Sequence, residues 1–179
     1  MDKTRRIENL ALIGFMGTGK SSVGQLVADL MNFAFVDTDA LIEEQSGHAI
    51  GDLFAAQGEP AFRAWEAKIV GDLSKLNRTV IATGGGLPIN PANFNSLKSH
   101  SLLVCLWLSP EKIWERVRDQ SHRPLLKETD PEAKIRSLLA ERAPIYRQAD
   151  VLINSGLRSL REVAVQVVHQ FHMAKSGRP

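Results

Sequence analysis

Gly14-Phe15-Met16-Gly17-Thr18-Gly19-Lys20-Ser21 decides the reading of this chain, because it fits the pattern G-x-x-x-x-G-K-[ST] residue for residue. Its flanks supply the context that pattern needs. Leu10-Ala11-Leu12-Ile13 before it is an apolar run of buried-strand length, and Val23, Leu26, Val27 and Leu30 after it recur at the spacing of one helix face. A glycine-rich loop between a strand and a helix lets successive backbone N–H groups converge on a phosphate, and the helix N-terminus adds partial positive charge. Lys20 is placed to reach the β and γ phosphates, and the Ser21 hydroxyl to ligate a bridging Mg²⁺. The expectation is a nucleoside triphosphate site formed by Gly14, Met16, Gly17, Thr18, Gly19, Lys20, Ser21 and Ser22.

Working outward, the 179 residues fit one domain, so the same domain must hold the nucleotide and whatever accepts the phosphate. Apolar content of 44% and charged content of 23% are those of an ordinary globular protein. The formal charge of +2 comes without a basic run or an aromatic-interleaved stripe, so nucleic acid is not an expected partner. No 18-residue apolar stretch occurs, and Met1 to Arg6 is not followed by a secretory h-region. We expect a cytoplasmic monomer with no membrane partner. The lone Cys105, inside the apolar run Leu102 to Leu108, reads as a buried strand residue.

A second short run, Phe33 to Val36, ends in Asp37-Thr38-Asp39. In an open parallel sheet the ligand crevice lies at the carboxyl ends of the strands, so both aspartates should face the phosphate loop. One could serve the metal and the other take a proton from an acceptor hydroxyl, while capping of a helix over Ala40 to Gln45 is the structural alternative. From Ile50 to Leu76 the pattern is helical, broken at Gly58-Glu59-Pro60, and Arg63 and Glu66 stand at i and i+3, where they can pair. An arginine so held suits a bidentate grip on a carboxylate. Val80 to Ala82 is a third strand running into Thr83-Gly84-Gly85-Gly86, whose bare backbone can approach a ligand and donate N–H groups to it.

Asn90-Pro91, Ser109-Pro110 and Asp130-Pro131 each combine a cap with a proline at the first helical position. The polar stretch 119–130 contains Arg123 and reads as a lid that could bring this arginine to the transferring phosphoryl group. Pro144 should kink the helix that begins at residue 131. Val151 to Ile153 is a fifth strand, Leu157 to Met173 a closing helix, and Ala174 to Pro179 a frayed end. Five apolar runs alternating with helices imply a parallel α/β sheet with right-handed crossovers.

Taken in order, the loop Gly14 to Ser21, Asp37-Thr38-Asp39, Phe62-Arg63 with Glu66, Thr83 to Gly86, Arg123-Pro124-Leu125-Leu126, and Glu141-Arg142 with Pro144 and Tyr146 resemble shikimate kinase over nearly the whole chain. The resemblance implies a three-layer P-loop kinase fold with sheet order 2-3-1-4-5, a substrate-binding helical region at about 38–78 and a mobile lid. It also implies transfer of the ATP γ-phosphoryl group to the 3-hydroxyl of shikimate, a step of chorismate and aromatic amino acid biosynthesis. By that resemblance Arg63 and Arg142 grip the shikimate carboxylate, Asp39 binds the ring hydroxyls and is the candidate base, and Gly84, Gly85 and Gly86 line the pocket. Asp37 is the outer and Ser21 the inner ligand of Mg²⁺, Arg123 is the lid arginine, and Arg116 stacks on adenine. Ser22 stands where many relatives have threonine, and Asn154-Ser155-Gly156 has no distinctive pattern. A gluconate or nucleoside monophosphate kinase of the same fold, or a non-enzymatic nucleotide-dependent sensor, are the alternatives.

Overall fold

The computed structural model describes residues 5–118 and 130–176. The lid stretch therefore lies outside the described residues except for Asp130, and Arg123 lies outside them too. Five parallel strands, β1 (Asn9–Ile13), β2 (Ala34–Asp37), β3 (Thr79–Ala82), β4 (Ser101–Trp107) and β5 (Val151–Asn154), form one sheet in the order β2-β3-β1-β4-β5. The central strands are apolar at successive positions because both faces are covered. Leu10, Leu12, Val80, Leu102, Val104 and Leu106 pack on one side with α1 (Lys20–Met31) and α7 (Leu160–Ser176). Ala11, Ile13, Ile81, Leu103 and Cys105 pack on the other with α3 (Ile50–Leu73), α4 (Pro91–His100), α5 (Pro110–Val117) and α6 (Pro131–Tyr146). The expected three-layer arrangement and strand order are both present.

Local chemistry sets the element boundaries. Asn90, Ser109 and Asp130 accept hydrogen bonds from Ala92, Lys112 and Ala133 respectively, each with a proline opening the helix that follows. Within α3, Gly58 adopts φ 76° and ψ 177°, the break expected at Gly58-Glu59-Pro60. Pro144 lies in the last turn of α6, and the helix carries on through it to Tyr146. The closing helix starts three residues later than its apolar periodicity suggests. Ser159 and Glu162 bond reciprocally as a capping box, which fixes the start at Leu160 and leaves Leu157 74% exposed. Its last turn holds through Ser176, so Ala174 to Ser176 are helical rather than frayed. A short 3₁₀ turn at Leu87–Ile89, not expected from residue pattern, follows the glycine loop. Among the described residues no helix is long and apolar enough to cross a membrane.

This topology brings the loops after β1, β2 and β3 to one edge of the sheet. That edge is the crevice expected of parallel α/β sheets.

Candidate active site

The loop between β1 and α1 closes over its own backbone. Thr18 Oγ1 and Lys20 Nζ both donate to the Phe15 carbonyl, at 2.8 and 2.9 Å. Gly19, at φ 93°, precedes α1, and no side chain caps the helix, the arrangement in which a bound anion takes up the first-turn N–H groups. Gly14, at φ 135°, is glycine for a further reason: a Cβ there would run into the Leu106 carbonyl of β4. Its lack of a side chain serves packing on the sheet as well as access to phosphate.

Asp37 has two tasks at once. Its Oδ1 accepts from the Asp39 N–H at 3.0 Å, capping α2 (Thr38–Ser46), and its Oδ2 accepts from Ser21 Oγ at 2.6 Å. The capping alternative read from the sequence is present, and it leaves the other oxygen of the same carboxylate beside Ser21. Two oxygens side by side at the mouth of the phosphate loop suit a hard cation, and among the described residues no group of three or more His, Cys, Asp or Glu could hold a metal ion. That donor set fits Mg²⁺, which keeps several waters and relies on phosphate oxygens for the rest of its shell.

Asp39 and the glycine loop are built against each other. Thr38 Oγ1 accepts the Gly84 N–H at 2.9 Å, so that amide is taken up by the protein rather than offered to a ligand. A Cβ on Gly84 would overlap the Asp39 carboxylate, and one on Gly86 would lie 2.6 Å from Arg63 Nη1. Gly85 stacks on the phosphate loop, where a Cβ would sit 3.3 Å from the Met16 nitrogen. The three glycines thus make room for Asp39, for the phosphate loop and for Arg63 in turn.

Arg63 is held on two sides, by Glu66 at 2.8 Å as expected and by Glu59 at 2.7 Å, a partner not anticipated. Burial opposes the Arg63 charge, yet the two carboxylates outweigh it and its pKa is raised. Glu66 is 1% exposed, and burial pushes its pKa up against the pull of Arg63. Arg142 lies over the Phe15 ring with its guanidinium carbon 5.4 Å from the centroid. Two helices thus bring an arginine each to the glycine loop and to the phosphate loop.

A cavity of about 510 Å³ joins the phosphate loop to Asp37, Asp39 and Gly85, and Arg63, Arg142, Gly84 and Gly86 are not on its wall. Lys20, Ser21, Ser22 and Asp37 line one part and Asp39, Thr83 and Gly85 another, with Met16, Gly17, Gly19, Arg116 and Leu160 also on the wall. Arg116 donates to the carbonyls of Gly17 and Ser155, and Ser155 Oγ donates to the Thr18 carbonyl, tying the loop after β5 to the phosphate loop. Ser155 and Leu160 carried no sequence signal beyond residue type, whereas Glu59 stands four residues before Arg63, a helical spacing that allows an ion pair. Ser155 is nevertheless 2% exposed and its partner is 137 positions away. Cys105 is buried with its thiol pushed up to about 12 by burial, which keeps it an uncharged core residue.

A family model described as shikimate kinase matches residues 16–172. The shikimate kinase of Caldanaerobacter subterraneus subsp. tengcongensis is 41% identical over 165 residues, covering 92% of this chain and 96% of that protein. Among solved structures, the shikimate kinase of Acinetobacter baumannii in complex with shikimate superposes with a TM-score of 0.90 at 34% identity, over 94% of this chain and 95% of that one. A gluconokinase from Sinorhizobium meliloti superposes at 0.63 with 18% identity over 97% of each chain, a likeness of fold alone.

Proposed function

Because this chain belongs to the shikimate kinase family, we propose a division of labour among its residues for the ATP-dependent phosphorylation of shikimate, a step in aromatic biosynthesis. Gly14 to Ser22 bind the triphosphate, with Lys20 leaving the Phe15 carbonyl to neutralise the β and γ phosphates. Ser21 and Asp37 hold Mg²⁺, which supplies charge neutralisation at the phosphates when bound. Asp39 accepts the proton of the attacking hydroxyl, which we take to be the 3-hydroxyl of shikimate. Arg63 and Arg142 grip the carboxylate beside Gly84, Gly85 and Gly86, and Glu59 and Glu66 keep the Arg63 fork oriented. Arg116 meets the adenine, and Arg123, from a lid at 119–130, meets the transferring phosphoryl group. The helical region at about 38–78 is the substrate side of a single domain. The working unit is one chain in the cytoplasm, since every group invoked comes from the same chain.

The observation that carries this reading is the shared cavity. Lys20, Ser21 and Asp39 line one cavity, which supports a phosphoryl donor and a hydroxyl acceptor being held side by side. Coupled ADP release with ATP and Mg²⁺, measured against shikimate, gluconate and a nucleoside monophosphate, tests it, with the product's phosphorylated position read by NMR. Turnover is expected with shikimate alone. Fast turnover with gluconate or a nucleotide and none with shikimate would sink it.

A further inference from the structure

Tyr146 belongs to the sequence pattern around Arg142, yet nothing in the division of labour uses it. It stands four residues after Arg142 on α6, one turn along the same face. The residue is 6% exposed, and its hydroxyl donates to the Gly85 carbonyl at 2.7 Å, across 61 positions of sequence. Burial pushes the phenol up to about 12, opposed by the charge and hydrogen bonding of Arg142, so at neutral pH the hydroxyl keeps the proton it donates. Arg142 lies over the Phe15 ring, and its charge is also felt at the Tyr146 hydroxyl. Gly85 in turn presses on the phosphate loop at Met16.

We propose that Tyr146 is a positioning residue for the acceptor: its hydroxyl bolts α6 to the Gly85 carbonyl and so sets where Arg142 stands relative to the glycine loop. This rests on the reading of Arg142 as a carboxylate grip. The bolt acts on acceptor binding rather than on phosphate transfer, because the groups it joins are the wall and the cation of the acceptor end, while Lys20 and Asp39 are held by other bonds. A phenylalanine at 146 keeps the ring in the core and removes only the hydroxyl, leaving the Gly85 carbonyl without its donor and Arg142 without a fixed neighbour.

The test compares Tyr146→Phe, Arg142→Ala and the double variant by steady-state kinetics, with thermal denaturation of each. Tyr146→Phe should raise the KM for shikimate about tenfold, with kcat and the KM for ATP within about twofold of the parent. Arg142→Ala should raise the same KM further, and adding Tyr146→Phe to it should change little more, because the hydroxyl acts through the arginine. Three results overturn the proposal: an unchanged shikimate KM in Tyr146→Phe, effects that multiply in the double variant, or kcat, both KM values and Tm deteriorating together, which is the mark of a packing role. If Arg142→Ala itself leaves the shikimate KM unmoved, the carboxylate grip fails first and Tyr146 loses its route to the acceptor. If Arg142→Ala raises it and Tyr146→Phe does not, only the positioning role falls.

Discussion

Gly86→Ala separates binding geometry from fold stability more cleanly than any arginine variant. Gly86 sits at φ −88° and ψ −21°, a conformation alanine adopts without strain, so the backbone has no reason to resist. Through the unfolded chain alone, such a change stabilises by about 0.4–1 kcal/mol. The added Cβ, however, would lie 2.6 Å from Arg63 Nη1 and 3.1 Å from Nη2, where ordinary contact begins at 3.4 Å. The guanidinium must therefore recede by about 0.8 Å, which is more than a bond of normal hydrogen-bond length tolerates in the wrong direction. As the far end of a long, 36% exposed side chain it can do so, by loosening its bonds to Glu66, which holds Nη1 at 2.8 Å, and to Glu59 at the opposite edge. Displacing a charge-assisted bond to the substrate carboxylate removes about 1.5–3 kcal/mol, or roughly 10- to 150-fold in the KM for shikimate. The assay is initial rate against shikimate at saturating ATP, paired with a melting curve. The expected result is a raised KM with Tm unchanged or slightly higher. A KM within about twofold of the parent, in a variant that melts normally, would refute the placement of the substrate carboxylate at Arg63.

Three further outcomes follow from the same geometry. Asp39→Asn should lower kcat by about 10² to 10⁴ while ATP affinity, measured by calorimetry, holds; unchanged turnover removes Asp39 from the chemistry. Asp37→Asn should raise the Mg²⁺ concentration for half-maximal rate about 10- to 100-fold, and because asparagine caps as well as aspartate, α2 should keep its stability; a parental Mg²⁺ dependence would take Asp37 out of the metal site. At the opposite end of the sheet, Asn9 accepts from the Thr79 N–H and donates to the Leu76 carbonyl, so its amide group must also donate to His100 Nδ1, at 3.1 Å, and the imidazole is neutral. Burial lowers the His100 pKa from 6.5, so its contribution to stability is present above that pH and lost as pH falls through the depressed value. The Tm difference between the parent and His100→Gln should therefore shrink from pH 7.5 to pH 5.5, and a constant difference would show that the His100 pKa is the same in the folded and unfolded chain.

What could be read from the sequence divides along a physical line. The phosphate end was legible because its residues are consecutive: a strand, a glycine-rich turn and a helix start, all within Leu10 to Leu30, carry their chemistry in local spacing. Asp37 and Asp39 were legible for a related reason, since a strand end in a parallel sheet has only one place to face. The acceptor end was legible as residue types but not as an arrangement. Gly84 and Gly86 are glycines because Asp39 and Arg63 occupy the volume a side chain would need, and an absent side chain leaves no trace of what replaced it. Thr38 read as an alternative cap for the helix after β2, yet Asp37 makes that cap and Thr38 takes the Gly84 N–H across 46 positions. Glu59 looked like part of a helix break, yet it stands one helical turn before Arg63 and pairs with it at i, i+4. For Gly84, Gly86 and Thr38 the missing information is a contact between segments that only the fold brings together. On the proposed roles of Asp39 and Arg63, single-methyl changes at Gly84 and Gly86 should disturb the reaction by different routes, the first through Asp39 and kcat, the second through Arg63 and KM.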